Sequence, residues 1–305
     1  MISVTNLTKK FDEFTALDSV DIEIKEGVIY GVVGSNGAGK STLLRLMSGV
    51  YQPDNGEILI DDKKVWENPE VKENIAYIPD DLYLQNGVSM DSMARLHGAI
   101  YNNFDKKRFN ELAELFKLDT KKSLNTFSKG MKRQVVIILA LSRHPKYMFF
   151  DETFDGLDPV IRALVKKLIS QEILEKKATV ILTSHSLRDL EETCDQLALL
   201  HKGGIVFESD IYNIKTSLFK VQVAFEEKYE ESDFNDLDIM NYKKNGSVIN
   251  MIVKGDREKV RELLNSKTPL VLDILPLTLE EVFTYEMSML GYSFDDIIKG
   301  GEENE

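Results

Sequence analysis

One glycine-rich octapeptide carries most of the structural information in this chain, and it reads Gly34-Ser35-Asn36-Gly37-Ala38-Gly39-Lys40-Ser41. It fits the pattern GxxxxGK[ST], in which glycines let the backbone curl until successive N–H groups point inward at phosphate oxygens. The residues before it, 28–33, are mostly apolar, and Leu43, Leu44 and Met47 follow it at helical spacing. We therefore predict a buried strand, a phosphate-binding loop and a helix in direct succession.

Two side chains at the end of the octapeptide suit a nucleotide with Mg²⁺. Lys40 would place a positive charge on the β- and γ-phosphates, and the hydroxyl of Ser41 is a hard oxygen ligand for Mg²⁺. The helix that begins near Gly39 adds its positive end to the same spot. The predicted phosphate-binding set is continuous and consists of Gly34, Ser35, Asn36, Gly37, Ala38, Gly39, Lys40, Ser41 and Thr42.

A second motif supplies two acids. The apolar run Tyr147–Phe150 reads as a strand, and it ends in Asp151 and Glu152. Parallel α/β sheets place their ligand contacts at the carboxyl ends of the strands. Asp151 is therefore predicted to hold Mg²⁺ through water, and Glu152 to polarise the attacking water. The alternative is that both acids form a solvated strand end.

The rest of the pattern indicates an α/β domain followed by a smaller unit. Strands and turns alternate over the first eighty residues, helical spacing dominates from Ser89 to Ser142, and strand–helix alternation then resumes. After about residue 215, short strand and helix patterns are mixed in a way typical of a small α+β unit. We predict an α/β nucleotide-binding domain over 1–215 with a helical subdomain at about 80–145, a small α+β accessory domain over 216–292, and an acidic tail over 293–305.

Composition and charge exclude several classes of protein. The 305 residues are 43% hydrophobic and 29% charged, and the formal net charge of −13 argues against nucleic acid as the main partner. Most of the negative excess lies in two stretches, 226–238 and 294–305. Cys194 is the only cysteine, which excludes an intrachain disulfide. The longest apolar stretch, Val135–Leu141, is far below the roughly 20 residues that span a bilayer. Because the N-terminus also lacks a signal-peptide pattern, we expect a soluble, cytoplasmic chain.

A third motif makes the pattern specific to one family. The segment Phe127-Ser128-Lys129-Gly130-Met131 opens a predicted helix, and its serine lies 23 positions before Asp151. Together with the phosphate loop and the two acids, this order resembles the nucleotide-binding subunits of ATP-binding cassette (ABC) transporters over about residues 2–210. The segment then stands where that family has its LSGGQ signature. The resemblance implies a P-loop NTPase core with an N-terminal antiparallel β part and a helical insert, the ABC ATPase fold, with ATP and Mg²⁺ as cofactors.

Further site residues follow from the resemblance. In the family, ATP is sandwiched between the phosphate loop of one copy and the signature of another, which implies roles for Ser128, Gly130 and Met131 across a dimer interface. Asp158 resembles the aspartate of the D-loop, which helps to arrange that interface. His185 resembles the switch histidine that contacts the γ-phosphate.

Two positions near the nucleotide need separate treatment. Phe11 resembles the aromatic residue that stacks on adenine, with Phe14 as the alternative, and either ring could instead belong to the core. Asp80 stands where the family usually has Gln, and a shorter, charged side chain is predicted to bind the metal or its waters differently. Lys129 and Met131 also depart from the signature, but no phosphate, metal or base ligand is lost. An active ATPase is therefore expected.

The resemblance also implies partners. A separate membrane-spanning permease would dock on the helical insert around residues 80–122 and hold the chain at the cytoplasmic face of the membrane. The second ATPase subunit would be another copy or a related chain. The segment 277–283 resembles the end of ATPase subunits from ABC-2-type exporters of drugs and peptides, including antimicrobial ones. We expect an exporter subunit; an importer subunit and a soluble ABC ATPase that acts on ribosomes or DNA are the alternatives.

Overall fold

The computed structural model describes residues 1–84, 87–212, 218–227 and 229–289. The chain divides into two compact units, the first formed by Met1–Glu208 and the second beginning at Ser209. The predicted acidic tail over 293–305 lies outside the described residues. Within the described ranges, none of the helices combines the length and the apolarity needed to cross a bilayer.

A six-stranded sheet forms the centre of the first unit, with the strand order β10-β9-β3-β8-β7-β6. Strands β9, β3, β8, β7 and β6 pair in parallel. The middle strands are buried along their whole length, as their continuous apolar runs predict. The strands are β3 (Ile29–Val33), β6 (Ile75–Ile78), β7 (Tyr147–Asp151), β8 (Thr179–Ser184), β9 (Gln196–His201) and β10 (Gly204–Asp210).

An antiparallel sheet, with the order β2-β1-β4-β5, completes the N-terminal part. Its apolar face shares one core with the central sheet, because buried Ile2 and Leu17 belong to the same cluster as Tyr30, Leu43 and Phe149. That cluster holds the helix after the glycine-rich loop in place from both sides. The elements are β1 (Ile2–Phe11), β2 (Phe14–Ile24), α1 (Lys40–Met47), β4 (Asn55–Ile60), β5 (Lys63–Lys64) and α2 (Pro69–Glu73).

In the described part of the insert between β6 and β7, the chain forms three α-helices. Each begins at a residue whose side chain accepts a hydrogen bond from the first turn: Ser89, Asp105 and Ser128. The helices are α3 (Met90–Ile100), α4 (Lys106–Leu115) and α5 (Lys129–Leu141). After β7, the long helix α6 (Pro159–Lys176) leads to β8, and the short helix α7 (Leu187–Glu191) leads from β8 to β9.

The second unit is a small α+β fold built on four antiparallel strands in the order β12-β13-β11-β14. This order is that of a ferredoxin-like split βαβ arrangement. A single 3₁₀ turn, Glu231–Phe234, occupies the first crossover where such folds carry a helix. The elements are β11 (Leu218–Ala224), β12 (Asp238–Asn245), β13 (Val248–Lys254), α8 (Arg257–Ser266), β14 (Val271–Pro276) and α9 (Leu279–Met289).

Candidate functional site

The glycine-rich loop connects β3 to α1, and two of its glycines have steric reasons to be glycine. Gly39 has φ +108°, and a Cβ there would lie 2.5 Å from the carbonyl oxygen of Ala16. A Cβ on Gly34 would lie 2.3 Å from the carbonyl oxygen of Leu200. Side chains at these positions would push the loop off the sheet, so the close approach requires glycine.

Lys40 occupies the centre of this loop and is buried, with 4% of its surface exposed. Its Nζ donates to the carbonyl oxygens of Gly34 (2.7 Å) and Ser35 (3.0 Å). The same Nζ lies 3.0 Å from Oε1 of Glu152, at the end of the strand β7. The structure therefore brings the loop lysine and the predicted base together.

Asp151 is fully buried and accepts three hydrogen bonds. Its Oδ1 accepts from Ser41 Oγ and from Thr183 Oγ1, each at 2.9 Å, and its Oδ2 accepts from the Tyr77 hydroxyl at 3.1 Å. Burial, with the negative charge of Asp151, raises the pKa of Tyr77, so the phenol stays a donor. Because a hydroxyl and a carboxylate are hard oxygen ligands, the contact between Ser41 and Asp151 fits a site for Mg²⁺.

Glu152 lies directly after β7 in a left-handed conformation, with φ +44° and ψ +26°. Its backbone N–H donates to Thr183 Oγ1 at 3.0 Å, which fixes the turn to the neighbouring strand. Its Oε2 is 3.6 Å from Nδ1 of His185, while its Oε1 contacts Lys40. A non-glycine residue at positive φ is uncommon, and such conformations concentrate at functional sites.

The signature-like residues lie at the N-terminus of α5. Ser128 is exposed, and its Oγ accepts from the backbone N–H of Met131 at 3.2 Å. A Cβ on Gly130 would lie 3.3 Å from the carbonyl oxygen of Gly156, so the helix start packs closely on the turn before α6. These positions form an exposed helix N-terminus, separate from the cluster around Lys40.

The remaining predicted site residues have local roles in the chain. Asp158 caps α6, and its Oδ1 accepts from the N–H groups of the second and third helical residues, each at 3.1 Å. Phe11 and Phe14 face each other across the β1–β2 turn. Phe11 packs edge-on against Tyr51, with ring centroids 5.5 Å apart, and Phe14 is more exposed. Both rings therefore remain candidates for adenine stacking.

Asp80 is paired with a residue that the sequence did not single out. Nη2 of Arg133, on α5, donates to the Asp80 carbonyl oxygen at 2.9 Å and to Asp80 Oδ1 at 2.6 Å. Tyr77 and Thr183 were also missed as partners of Asp151. For Thr183, the signal is its register opposite Asp151 on the neighbouring strand β8.

Comparison with known proteins identifies the family. The ABC transporter family model matches residues 17–155. The ABC transporter ATP-binding protein YtrB of Bacillus subtilis is 30% identical over 93% of this chain and 97% of its own length. This chain belongs to the ABC transporter ATP-binding proteins. The bacitracin transport ATP-binding protein BcrA of Bacillus licheniformis is also 30% identical, over 70% of this chain and 71% of its own length.

Solved structures agree on the fold of the cassette. An ATP-binding subunit of an ABC transporter superposes with a TM-score of 0.66 at 27% identity, covering 70% of this chain and 92% of that one. The dimeric cassette MJ0796, bound to ADP and Pi, superposes with a TM-score of 0.63 at 23% identity, covering 69% of this chain and 99% of that one. The predicted ABC ATPase fold is confirmed. The chain is an ABC ATPase.

Proposed function

We propose that this chain is the ATPase subunit of an ABC exporter, in which ATP closes two cassettes face to face. The observation that carries the proposal is the contact of Lys40 with Glu152 beside the contact of Ser41 with Asp151. Export is favoured by the similarity to BcrA and to the linearmycin resistance ATP-binding protein LnrL of Bacillus subtilis, which is 30% identical over 68% of both chains. Methionine import proteins of the MetN type match at 30% identity as well, so import is the second candidate.

Each residue of the site has a role in this proposal. Lys40 binds the β- and γ-phosphates, and the loop N–H groups bind the remaining phosphate oxygens. Ser41 and Asp151 hold Mg²⁺, which when bound neutralises charge that develops on the phosphates. Glu152 accepts a proton from the attacking water, and His185, 3.6 Å from Glu152, contacts the γ-phosphate.

A second cassette would complete the site. Ser128, Gly130 and Met131 of that cassette supply a hydroxyl and the positive end of a helix, which favour an anion. Asp158 caps α6 in the segment that the family uses at the dimer interface. Phe11, or Phe14 in its place, stacks on adenine. Closure excludes water around the γ-phosphate and so strengthens each charged contact.

We propose a cavity of about 210 Å³ between β6, α3 and α5 as the docking site of the permease. Its lining is apolar except for His97, Arg143 and three tyrosines. Arg143 is buried, donates through Nη2 to the carbonyl oxygens of Glu73 and Ile75, and stacks on the Tyr101 ring. Its Nε has no hydrogen-bond partner within the described residues. A buried guanidinium with a free donor favours an apolar segment of the permease that brings an acidic side chain.

We expect a charged residue in this cavity to uncouple transport from ATP binding. Val136 lines the cavity on α5. Val136→Asp should abolish transport, because its carboxylate repels the acidic side chain of the permease and is costly to remove from water. Leu174→Asp, at an exposed position on α6, is the matched control and should transport normally. Binding of ATP to purified Val136→Asp and transport into membrane vesicles are the two measurements. Normal transport by Val136→Asp would contradict docking at this cavity.

His97 makes the stability of the insert depend on pH. Burial, followed by the charge of Arg143, lowers the pKa of His97 from 6.5 to about 4. Because the unfolded chain then binds a proton that the folded chain does not, stability falls as pH drops from about 6.5 to about 4. His201 shifts in the same direction, so it contributes in the same window. We expect His97→Gln to flatten the fall in the free energy of unfolding between pH 7 and pH 5, measured by urea unfolding; an unchanged slope would contradict this.

Direction is tested with membrane vesicles from the source cells. In inside-out vesicles, an exporter accumulates its substrate in the lumen when ATP is added outside, whereas an importer does so only in vesicles of the opposite orientation. We expect ATP-dependent accumulation of an amphipathic peptide antibiotic in inside-out vesicles, and none in vesicles that carry only the Glu152→Gln chain. Accumulation confined to right-side-out vesicles loaded with ATP would favour import.

A further inference from the structure

Arg133 joins three segments of the cassette at one point. It lies in the second turn of α5, four residues after Lys129, and only 2% of its surface is exposed. One nitrogen, Nη2, donates to both the carbonyl oxygen and the carboxylate of Asp80. The other terminal nitrogen, Nη1, lies against Gly156, and a Cβ added at Gly156 would lie 2.0 Å from Nη1. The guanidinium thus touches the loop after β6 and the turn before α6 from the helix that carries Ser128.

The loop after β6 is fixed from two sides. Thr153 Oγ1 donates to the carbonyl oxygen of Ile78 at 3.3 Å, and Arg133 holds Asp80 two residues further on. Ile78 itself pairs with Phe150, the residue before Asp151. These contacts link Asp80 to the strand end that carries Asp151 and Glu152.

The buried charge of Arg133 limits which partner Asp80 can bind. The Arg133 side chain is almost fully buried, while half of the Asp80 side chain is exposed. If Asp80 turned away to a metal ion, Arg133 would lose a carboxylate that it contacts at 2.6 Å and would remain as a buried charge. Removing one partner of a buried ion pair is strongly destabilising. The arrangement favours Asp80 bound to Arg133 over Asp80 bound to the metal.

We propose that Arg133 is a positioning residue for ATP hydrolysis, acting through its ion pair with Asp80. The pair holds the N-terminal turns of α5, next to Ser128 and Gly130, in a fixed position relative to the loop after β6. The proposal rests on the function proposed above, since it assigns Arg133 to the reaction in which Glu152 is the base.

The test is a set of variants of the full chain, assayed for steady-state ATP hydrolysis against ATP and Mg²⁺ concentration. We expect Asp80→Asn and Arg133→Gln each to lower kcat by about tenfold or more, since each removes a hydrogen bond between charged groups. The KM for ATP and the Mg²⁺ concentration at half-maximal rate should stay within about twofold of the parent, because neither residue touches ligand. The double variant should be no slower than the singles, because both lose the same link.

Two further variants keep the test decisive. In Asp80→Arg/Arg133→Asp the charges are exchanged, and we expect partial recovery of kcat over the single variants; an arginine at position 80 cannot bind Mg²⁺. Gly156→Ala keeps both charged residues in the sequence but puts a methyl group where Nη1 of Arg133 lies. It should therefore slow hydrolysis, and it provides a test even if Arg133→Gln does not fold. Arg108→Gln, which breaks a looser pair (3.6 Å) between α4 and Glu172 on α6, is the control. Glu172 keeps its pair with Lys176 at 3.1 Å, so kcat should stay within about twofold of the parent.

The outcomes separate this inference from the proposed function. Parental kcat in Arg133→Gln, or in Gly156→Ala where Arg133→Gln is unfolded, overturns the positioning role. A raised Mg²⁺ requirement in Asp80→Asn alone overturns it in favour of a metal ligand. If instead Glu152→Gln hydrolyses ATP at the parental rate, the assigned base is wrong, and the proposed function fails whatever the behaviour of Arg133.

Discussion

We expect Glu152→Gln to abolish ATP turnover while ATP still binds, and to trap an ATP-bound dimer. The carboxylate is placed to take a proton from water, and an amide of the same shape cannot accept it. General-base catalysis of this kind contributes about 10²–10⁴-fold to a rate. The substitution also removes the negative charge 3.0 Å from Lys40, which leaves the ammonium free for phosphate. Binding is therefore preserved, and without hydrolysis the γ-phosphate contact that closes the dimer persists.

The measurement has two parts. Phosphate release reports turnover, and size-exclusion chromatography with ATP reports the dimer. Glu192→Gln, at an exposed position paired with Lys166 at 3.6 Å, is the matched control and should behave like the parent. Parental turnover by Glu152→Gln would assign the base elsewhere, whereas loss of both binding and turnover would mean that Glu152 holds the loop rather than the water.

The elements with strong local signals were predictable from the sequence. The pattern after Asp158 predicts a helix over Pro159–Lys176, and α6 has these bounds because Asp158 caps it and Pro159 suits its first turn. The apolar spacing after Lys40 likewise predicts a helix over Lys40–Met47 with one buried face, and α1 has these bounds. In both, a local rule and tertiary burial favour the same structure.

The sequence pattern predicts strands in the second unit at 220–225, 247–253 and 271–275, but not β12, Asp238–Asn245, because the pattern of β12 is weak. It follows an acidic stretch and carries two lysines, and none of its residues is fully buried. The strand forms because it pairs with β13, where Ile239 lies opposite Val253. Such an edge strand is specified by its partner more than by its own residues.

The site was predictable in its residues but not in its contacts. Lys40, Ser41, Asp151 and Glu152 stand in motifs whose spacing implies their chemistry. The pairing of Asp80 with Arg133 spans 53 positions and depends on how α5 packs against the loop after β6. Local sequence patterns contain no information on such packing. The partner of Asp80, the residue that departs from the family motif, is therefore visible only in the structure.

Lys40→Ala is expected to lose ATP binding. Its Nζ is the buried cation at the centre of the loop, where it donates to two loop carbonyl oxygens and contacts Glu152. Each charged hydrogen bond to phosphate contributes about tenfold or more to affinity, so the loss of both phosphate contacts weakens binding by on the order of 10²-fold or more. The same substitution removes the cation that lies between Glu152 and the phosphates. Repulsion between the Glu152 carboxylate and the phosphates then lowers the affinity for ATP further.

Titration calorimetry with ATP and Mg²⁺ measures this effect directly. Lys72→Ala is the matched control, because its Nζ also donates to a loop carbonyl oxygen, that of Gly49, at 2.8 Å, but outside the phosphate loop. The control should keep parental affinity, which separates loss of phosphate contact from general loosening of the fold. Lys40→Arg keeps the charge but not the shape, so it should bind more weakly than the parent and more tightly than Lys40→Ala. Unchanged affinity in Lys40→Ala would remove the phosphate-loop assignment, and with it the reason that Ser41 and Asp151 meet where a nucleotide-bound metal would lie.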